Sequence, residues 1–255
     1  MAAMTAQIDF VDSYCMVGRS GFSSEHGLGS TDAILGEADR CGIVQVLAHH
    51  AIAREWDPLT GNQLLIPLIR EDRRVLGAWV ADPLDMYRPG AASAEVGRLL
   101  AAGFVAVRMY PDVSAHNYVL SGRGARAFVA ACADRDVPVF IETEWPDWAA
   151  IDALLEESTA TLILTGISYR RSRNLYPMMD AHPRLLVESS TFLPHVGIED
   201  VVARFGVGRV LFGTRMPSYS AGAAIARVLL ADLTTEEQAE IAGKTLIRLI
   251  EAIHR

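Results

Sequence analysis

The residues of this chain that could do chemistry stand two positions apart at the ends of short apolar runs. Asp12 and Tyr14 close IDFVDSY, Arg108 and Tyr110 close FVAVRMY, and Glu142 and Glu144 close PVFIETE. Glu188 follows LLV, and Arg215 lies in VLFGTRMP. A spacing of two places such residues on one face of an extended segment. Carboxylates, phenols and guanidiniums gathered at strand ends suit two tasks, proton transfer and the holding of an anion. His49 and His50 end IVQVLAHH, and only one of two adjacent residues can share that face. A histidine there is by default a hydrogen-bonded structural group, and the alternative is a base. Arg170, Arg171 and Arg173 follow TLILTGIS. A solvated loop is their default, but with Arg19, Arg108 and Arg215 they would form a basic mouth that favours an anionic small molecule.

These residues need a scaffold that brings strand ends together. Eight short apolar runs alternate with helical segments: Ile8–Tyr14, Ile43–His50, Val75–Pro83, Phe104–Pro111, Pro138–Trp145, Thr161–Ser168, Leu185–Phe192 and Val210–Pro217. Helices are expected near 32–39, 62–73, 94–102, 125–135, 146–157, before Pro183, at 198–205 and 221–230, and from Thr235 to His254. Strands buried on both faces read as continuous apolar runs, and this alternation builds α/β folds. Eight such units close a (β/α)8 TIM barrel, which takes roughly 250 residues and carries its active site at the C-terminal strand ends. An open doubly wound sheet is the alternative, but no Gly-rich phosphate fingerprint follows the first strand. One domain spanning 1–255 is expected, with no linker or repeat.

Composition narrows the partners. A formal charge of −8 argues against nucleic acid or an anionic membrane. No apolar run is long enough for a membrane span, and the N-terminus has no basic region followed by an apolar one, so a cytoplasmic location is expected. Cys15, Cys41 and Cys132 are widely spaced and odd in number, which indicates neither a disulfide framework nor a CxxC metal site. Cys15 has the wrong parity for the mouth and reads as a structural thiol. His26, His116 and His195 fall in loops, with solvated surface as their default.

IDFVDSYCMVG resembles the opening of the amidohydrolase-related TIM-barrel family, whose first strand ends Asp-x-His-x-His-x-Gly. Asp12 and Gly18 stand in register, while Tyr14 and Met16 occupy the histidine positions. LGEADRCGIVQVL, DPLTGNQ, GAWVADP, GFVAVRMYP, DVPVFIE, the Glu188 strand and RVLFGTRMP follow the family pattern in order. The resemblance implies a metal site, yet its ligand positions are changed. Glu142 and Thr165 stand where histidines are expected, Arg215 where an aspartate is expected, and Arg108–Pro111 replaces a Lys/Arg-x-His-Pro pattern. With Lys244 the only lysine, a carboxylated-lysine bridge of the kind some relatives use is also excluded. A guanidinium at position 215 would repel a divalent cation. The resemblance further implies that Glu142 and Arg215, which replace two ligands of one metal, lie close in space. They would form either a buried ion pair filling the vacated site or a metal-free acid/base and anion-binding pair.

Three functions follow as expectations. The first is a metal-independent hydrolase or lyase for a small carboxylated substrate, with no cofactor. Glu142, Arg215, Tyr14 and Asp12 would be catalytic, and Arg108, Tyr110, His50, Glu144, Glu188 and Arg170 would bind substrate. The pyrone-dicarboxylate lactonases, which resemble this fold and hydrolyse without a metal, are the precedent. The second is a non-catalytic barrel partnering an active amidohydrolase, with a homo-oligomer or such a hetero-oligomer both open. The third is a metal hydrolase or decarboxylase with relocated ligands drawn from Asp12, Glu142, Glu144, Glu188 and His49 or His50.

Overall fold

The computed structural model describes residues 8–21, 30–192 and 194–254. His26 lies outside them. Eight parallel strands form one sheet in sequential order: β1 Phe10–Val17, β2 Ile43–His50, β3 Val75–Val80, β4 Phe104–Met109, β5 Val139–Glu142, β6 Leu162–Thr165, β7 Leu185–Glu188 and β8 Val210–Leu211. The sheet curls until its ends meet. Ser13 N–H donates to Phe212 O at 3.0 Å, Arg215 N–H to Tyr14 O at 3.1 Å and Met16 N–H to Met216 O at 2.8 Å. Helices alternate with the strands around the outside, giving the expected (β/α)8 TIM barrel. Among the described residues, no helix is long and apolar enough to cross a membrane.

Strand length is where pattern and structure part. β5 stops at Glu142 rather than Trp145, and β7 at Glu188 rather than Phe192. β8 keeps only Val210–Leu211 of the eight-residue run. The reason is local bonding. Ser190 turns its N–H and hydroxyl back to Glu188, and Thr214 turns both of its donors to Asp12. Either turn withdraws the backbone from the ladder. Arg215 then adopts φ +59°, in the left-handed region that costs a non-glycine residue about 1–2 kcal/mol. Its N–H on Tyr14 O, and its carbonyl under Ser218 N–H and Tyr219 N–H, hold it there.

Two of the helices matter for the site. After α1 (Thr31–Arg40), the five-residue α2 (Ala51–Glu55) follows β2 directly and is capped by His50, whose Nδ1 accepts from Ile52 N–H at 3.1 Å. α3 (Pro58–Glu71) then starts under an Asp57 cap. The sequence pattern had no α2 and began the next helix at Asn62, because the Asp57-Pro58 start sits only four residues before it. Gly61 lets α3 lie directly on α2: a Cβ there would come 2.1 Å from Ala53 N. Asn62 pins α3 to the end of β3 by exchanging two hydrogen bonds with the Val80 backbone, at 2.8 and 2.9 Å. Farther on, the sixth helix begins at Trp148 behind an Asp147 cap, so Pro146 precedes it. The C-terminal helical stretch from Thr235 is interrupted by a π turn, Glu240–Lys244.

Candidate active site

At the C-terminal mouth of the barrel one carboxylate is gripped by three donors. Glu142 closes β5 and is 7% exposed. Its Oε2 accepts from the Tyr14 hydroxyl at 2.5 Å, and its Oε1 from Arg54 Nη2 at 2.8 Å and Arg215 Nη2 at 3.0 Å. Glu142 and Arg215 thus meet across the barrel from β5 to the segment after β8. Burial alone would push the Glu142 carboxyl up, but Arg215, Arg54 and the Tyr14 hydroxyl hold it below its ordinary value. Burial and the neighbouring Glu142 charge push the Tyr14 phenol well up, so it stays a donor. Arg54 had no signal in the alternation, since it lies on α2 rather than on a strand. An arginine in the short segment between a strand end and the next Asp-Pro helix start was the available clue.

The other residues singled out in the sequence take three different places. Asp12 is fully buried and accepts from Tyr14 N–H, Thr214 N–H and the Thr214 hydroxyl, at 2.9, 2.8 and 2.5 Å. It ties β1 to the segment after β8, and burial pushes its carboxyl up to about 7 against those donors. Glu188 is likewise enclosed, with both oxygens on Ser190 and its carboxyl raised by burial. A Cβ at Gly213 would strike it at 2.0 Å. Arg108 and Tyr110 lie deep in the barrel, each 1% exposed. Glu144 and Arg170 line the rim of a cleft.

The two adjacent histidines take different places. His50 is drawn away to cap α2, and His49 packs inside instead, edge-on to Tyr14 at 5.3 Å and tilted against Tyr110 at 5.9 Å. Burial, then Arg108, Arg54 and Arg215, keep the His49 imidazole well below its ordinary pKa and therefore neutral.

The cleft lies over the β5–β8 side of the mouth and has a volume of about 680 Å³. Glu144, Trp145, Arg170, Arg171, Arg215, Tyr219 and Arg227 are among its walls. The Arg171 guanidinium stacks 4.2 Å from the Trp145 ring centre, and Arg227 donates to Ser189 O at 2.7 Å. Arg215 belongs to both places, one nitrogen on Glu142 and its side chain on the cleft wall.

The donor set does not fit a resident divalent cation. Tyr14, Met16, Glu142, Thr165 and Arg215 offer one carboxylate, and two guanidiniums already occupy it. Among the described residues no group of three or more His, Cys, Asp or Glu side chains could hold a metal ion. The arrangement can hold an anion and move a proton through Glu142 or Tyr14.

A barrel of this topology with a mouth built from strand-end side chains is the architecture of the amidohydrolases, and the chain belongs to that family: the family described as amidohydrolase matches residues 18–250. No curated protein matches it. Among solved structures it is similar to 5-carboxyvanillate decarboxylase from Sphingomonas paucimobilis, at 12% identity and TM-score 0.75, covering 96% of this chain and 99% of that one. It is similar to a dihydroxybenzoic acid decarboxylase from a Polaromonas species, with bound manganese and 2-nitroresorcinol, at 13% identity and TM-score 0.73, covering 96% and 97%. A probable 2-pyrone-4,6-dicarboxylic acid hydrolase from Acinetobacter baumannii, with citric acid bound, matches at 12% identity and TM-score 0.69, covering 96% and 100%. At these identities the likeness is one of fold.

Proposed function

We propose that the protein is a metal-independent hydrolase or lyase that acts on a small carboxylated substrate held at the barrel mouth. The observation that carries this reading is the charge balance around Glu142: two guanidiniums converge on one of its oxygens, and Arg215 continues into a cleft with three further arginines on its wall. Such a site is short of negative charge and geometrically ready for a carboxylate. The named substrates of the structural neighbours, a carboxyvanillate, a dihydroxybenzoic acid and a pyrone dicarboxylic acid, each carry that group. Trp145 and Tyr219 add aromatic faces on which a planar ring could lie.

Substrate binding would also switch Glu142 on. At rest its proton affinity is held down by Arg54 and Arg215. A substrate carboxylate beside Arg215 brings a second negative charge and draws off part of that stabilisation, which raises the Glu142 pKa towards a useful base. For hydrolysis, Glu142 then takes the proton of a water that attacks the substrate carbonyl and returns it to the oxygen released as the acyl C–O bond breaks; for a lyase, Glu142 first takes up a proton from solvent as its pKa rises and gives it to the ring carbon, whose C–C bond breaks to release the carboxylate as carbon dioxide. Arg215 and the Tyr14 hydroxyl stabilise the developing negative charge. Asp12 acts as a positioning residue, since its bonds fix the backbone on which Tyr14 and Arg215 are mounted.

The test is turnover by chelator-treated protein of a panel of hydroxybenzoates, carboxylated vanillates and pyrone dicarboxylates, followed by carbon dioxide release and ring opening. One class should be consumed, and Glu142→Gln should slow it by about a hundredfold or more, the usual scale of acid–base catalysis. A panel left untouched supports the second reading, a non-catalytic barrel. That reading has its own observation: both Glu142 oxygens are already bonded within the protein, so the cluster is complete without a ligand.

A further inference from the structure

Arg54 grips Glu142 from a helix too short to hold itself in place. A helix of five residues gains few internal hydrogen bonds, so the position of α2 is set by what it docks on. At its end Trp56 N–H and Asp57 N–H both turn to Ile52 O. The Arg54 carbonyl meets a donor from the loop after β4 instead: His116 Nε2 lies 3.0 Å from Arg54 O. A carbonyl only accepts, so His116 carries its proton on Nε2. Burial keeps this imidazole below its ordinary pKa and therefore neutral. His116 is thus half-buried and anchored on the site, not the solvated loop residue that its place in the sequence suggests.

The same loop is fastened to β5 at its other end. Asp112 Oδ1 accepts from the Thr143 hydroxyl at 2.6 Å and Oδ2 from Glu144 N–H at 2.8 Å, so it holds the two residues that follow Glu142. Between the anchors the chain closes into a turn. Ala115 N–H and Asn117 N–H both donate to Asp112 O, at 2.9 and 3.1 Å, and Asn117 takes φ +50°, a conformation asparagine tolerates. His116 N–H donates to Tyr110 O at 3.2 Å, which ties the turn to the end of β4 as well. The Tyr110 ring centre lies 5.6 Å from that of His116 and 5.4 Å from the Arg54 guanidinium carbon.

One turn therefore grips the backbone on both sides of a buried ion pair. We propose that Asp112 and His116 are positioning residues: together they fix α2 to the end of β5 and so set how closely Arg54 holds the Glu142 carboxylate. A charge-assisted hydrogen bond is lost once donor and acceptor move apart by about an ångström, so a small release of α2 is enough to change the charge that Glu142 feels. The proposal deepens the reading of Glu142 as the acid–base group and rests on it, since Arg54 is one of the two cations that hold its proton affinity down at rest.

The test follows the Glu142 carboxyl by carbon-13 NMR in the full-length protein, its resonance assigned through Glu142→Gln. His116→Leu removes the donor, and the cavity of about 520 Å³ that His116 borders leaves room for the new side chain. Proton binding by Glu142 should tighten about tenfold, the scale of one neighbouring charge drawn away. His116→Gln keeps an N–H at comparable reach and should stay near wild type. His116→Asn, whose shorter amide falls short of Arg54 O, replaces the leucine variant if that one does not fold, with the same shift expected. Asp112→Ala should move the titration in the same direction, whereas loss of a nearby negative charge alone would move it the other way. With both anchors removed the shift should be smaller than the sum of the two, because they act through one turn. Hydrogen exchange gives a second readout: the Trp56 amide at the end of α2 should lose protection in both single variants. An unmoved Glu142 titration in His116→Leu or His116→Asn, an equal shift in His116→Gln, an opposite shift in Asp112→Ala, full additivity, or unchanged Trp56 protection would each overturn the proposal. None of these readouts needs turnover. A substrate panel left unconsumed therefore leaves the anchors standing, and failure of the anchors leaves the Glu142 chemistry to its own test.

Discussion

Glu142 and Arg215 are the pair on which the proposed chemistry turns, and substitution separates a structural contribution from a catalytic one. Arg215→Met leaves Glu142 with Arg54 and the Tyr14 hydroxyl, and breaking a buried pair from one side typically costs about 3–5 kcal/mol. A large drop in melting temperature is expected. Adding Glu142→Gln strands the Arg54 guanidinium, which pairs with the same carboxylate, so much of that stability should return only in the triple variant Glu142→Gln, Arg215→Met, Arg54→Met, with no turnover. If the triple variant is no more stable than Glu142→Gln with Arg215→Met, the three side chains are not the electrostatic unit described here. The pH dependence has a definite sign. The folded Glu142 pKa lies below its ordinary 4.5, so its stabilisation is present above that value and is lost as pH falls through the folded pKa. Denaturant unfolding of wild type against Glu142→Gln should therefore show a gap that closes in acid; a gap that widens there contradicts the ion-pair assignment. The sequence disclosed this pair through strand parity and the family order of β5 and β8. Arg54 escaped, because it comes from a one-turn helix whose cap, His50, looks in sequence like a site residue.

Elements hold these side chains in register, and two joints are exposed to test. At the α2–α3 joint, Gly61→Ala would force a Cβ into the Ala53 backbone and push α2, with Arg54, away from Glu142. Destabilisation of about 1–3 kcal/mol is expected, together with weaker carboxylate binding, although residue 61 touches no ligand. Unchanged binding would show that α2 does not position Arg54. At the β1–β8 seam, Asp12 has the opposite pH sign to Glu142. Its folded pKa of about 7 lies above the ordinary 3.8, so its contribution is full below 3.8 and lost as pH rises towards 7. Asp12→Asn should flatten the stability profile between those values, as urea midpoints would reveal. The order of the eight strands was legible because apolar runs flanked by Gly and Pro survive any detail of the site. The shortness of β5, β7 and β8 was not, because each ends where a side chain or turn donor captures a strand-end carboxylate, and such bonds leave no periodic trace.

Over the whole molecule, an acidic chain brings six of its arginines to the mouth of the barrel. Arg54, Arg108, Arg170, Arg171, Arg215 and Arg227 all face the interior or the cleft, while the net charge of the chain is −8. That contrast was visible in part from the arginines after the sixth strand. The cleft itself was not, since it depends on how the loops after β5 to β8 fold over one another. The proposed function has guanidiniums in the place of a metal. Its most direct test is calorimetric titration of an aromatic or pyrone carboxylate into protein stripped of divalent ions by chelation and verified by elemental analysis. One equivalent should bind with the same affinity before and after stripping, and Arg215→Met should weaken it by about tenfold or more, the scale of one lost charge-assisted contact. Binding that disappears on stripping and returns with one equivalent of manganese or zinc would contradict the account.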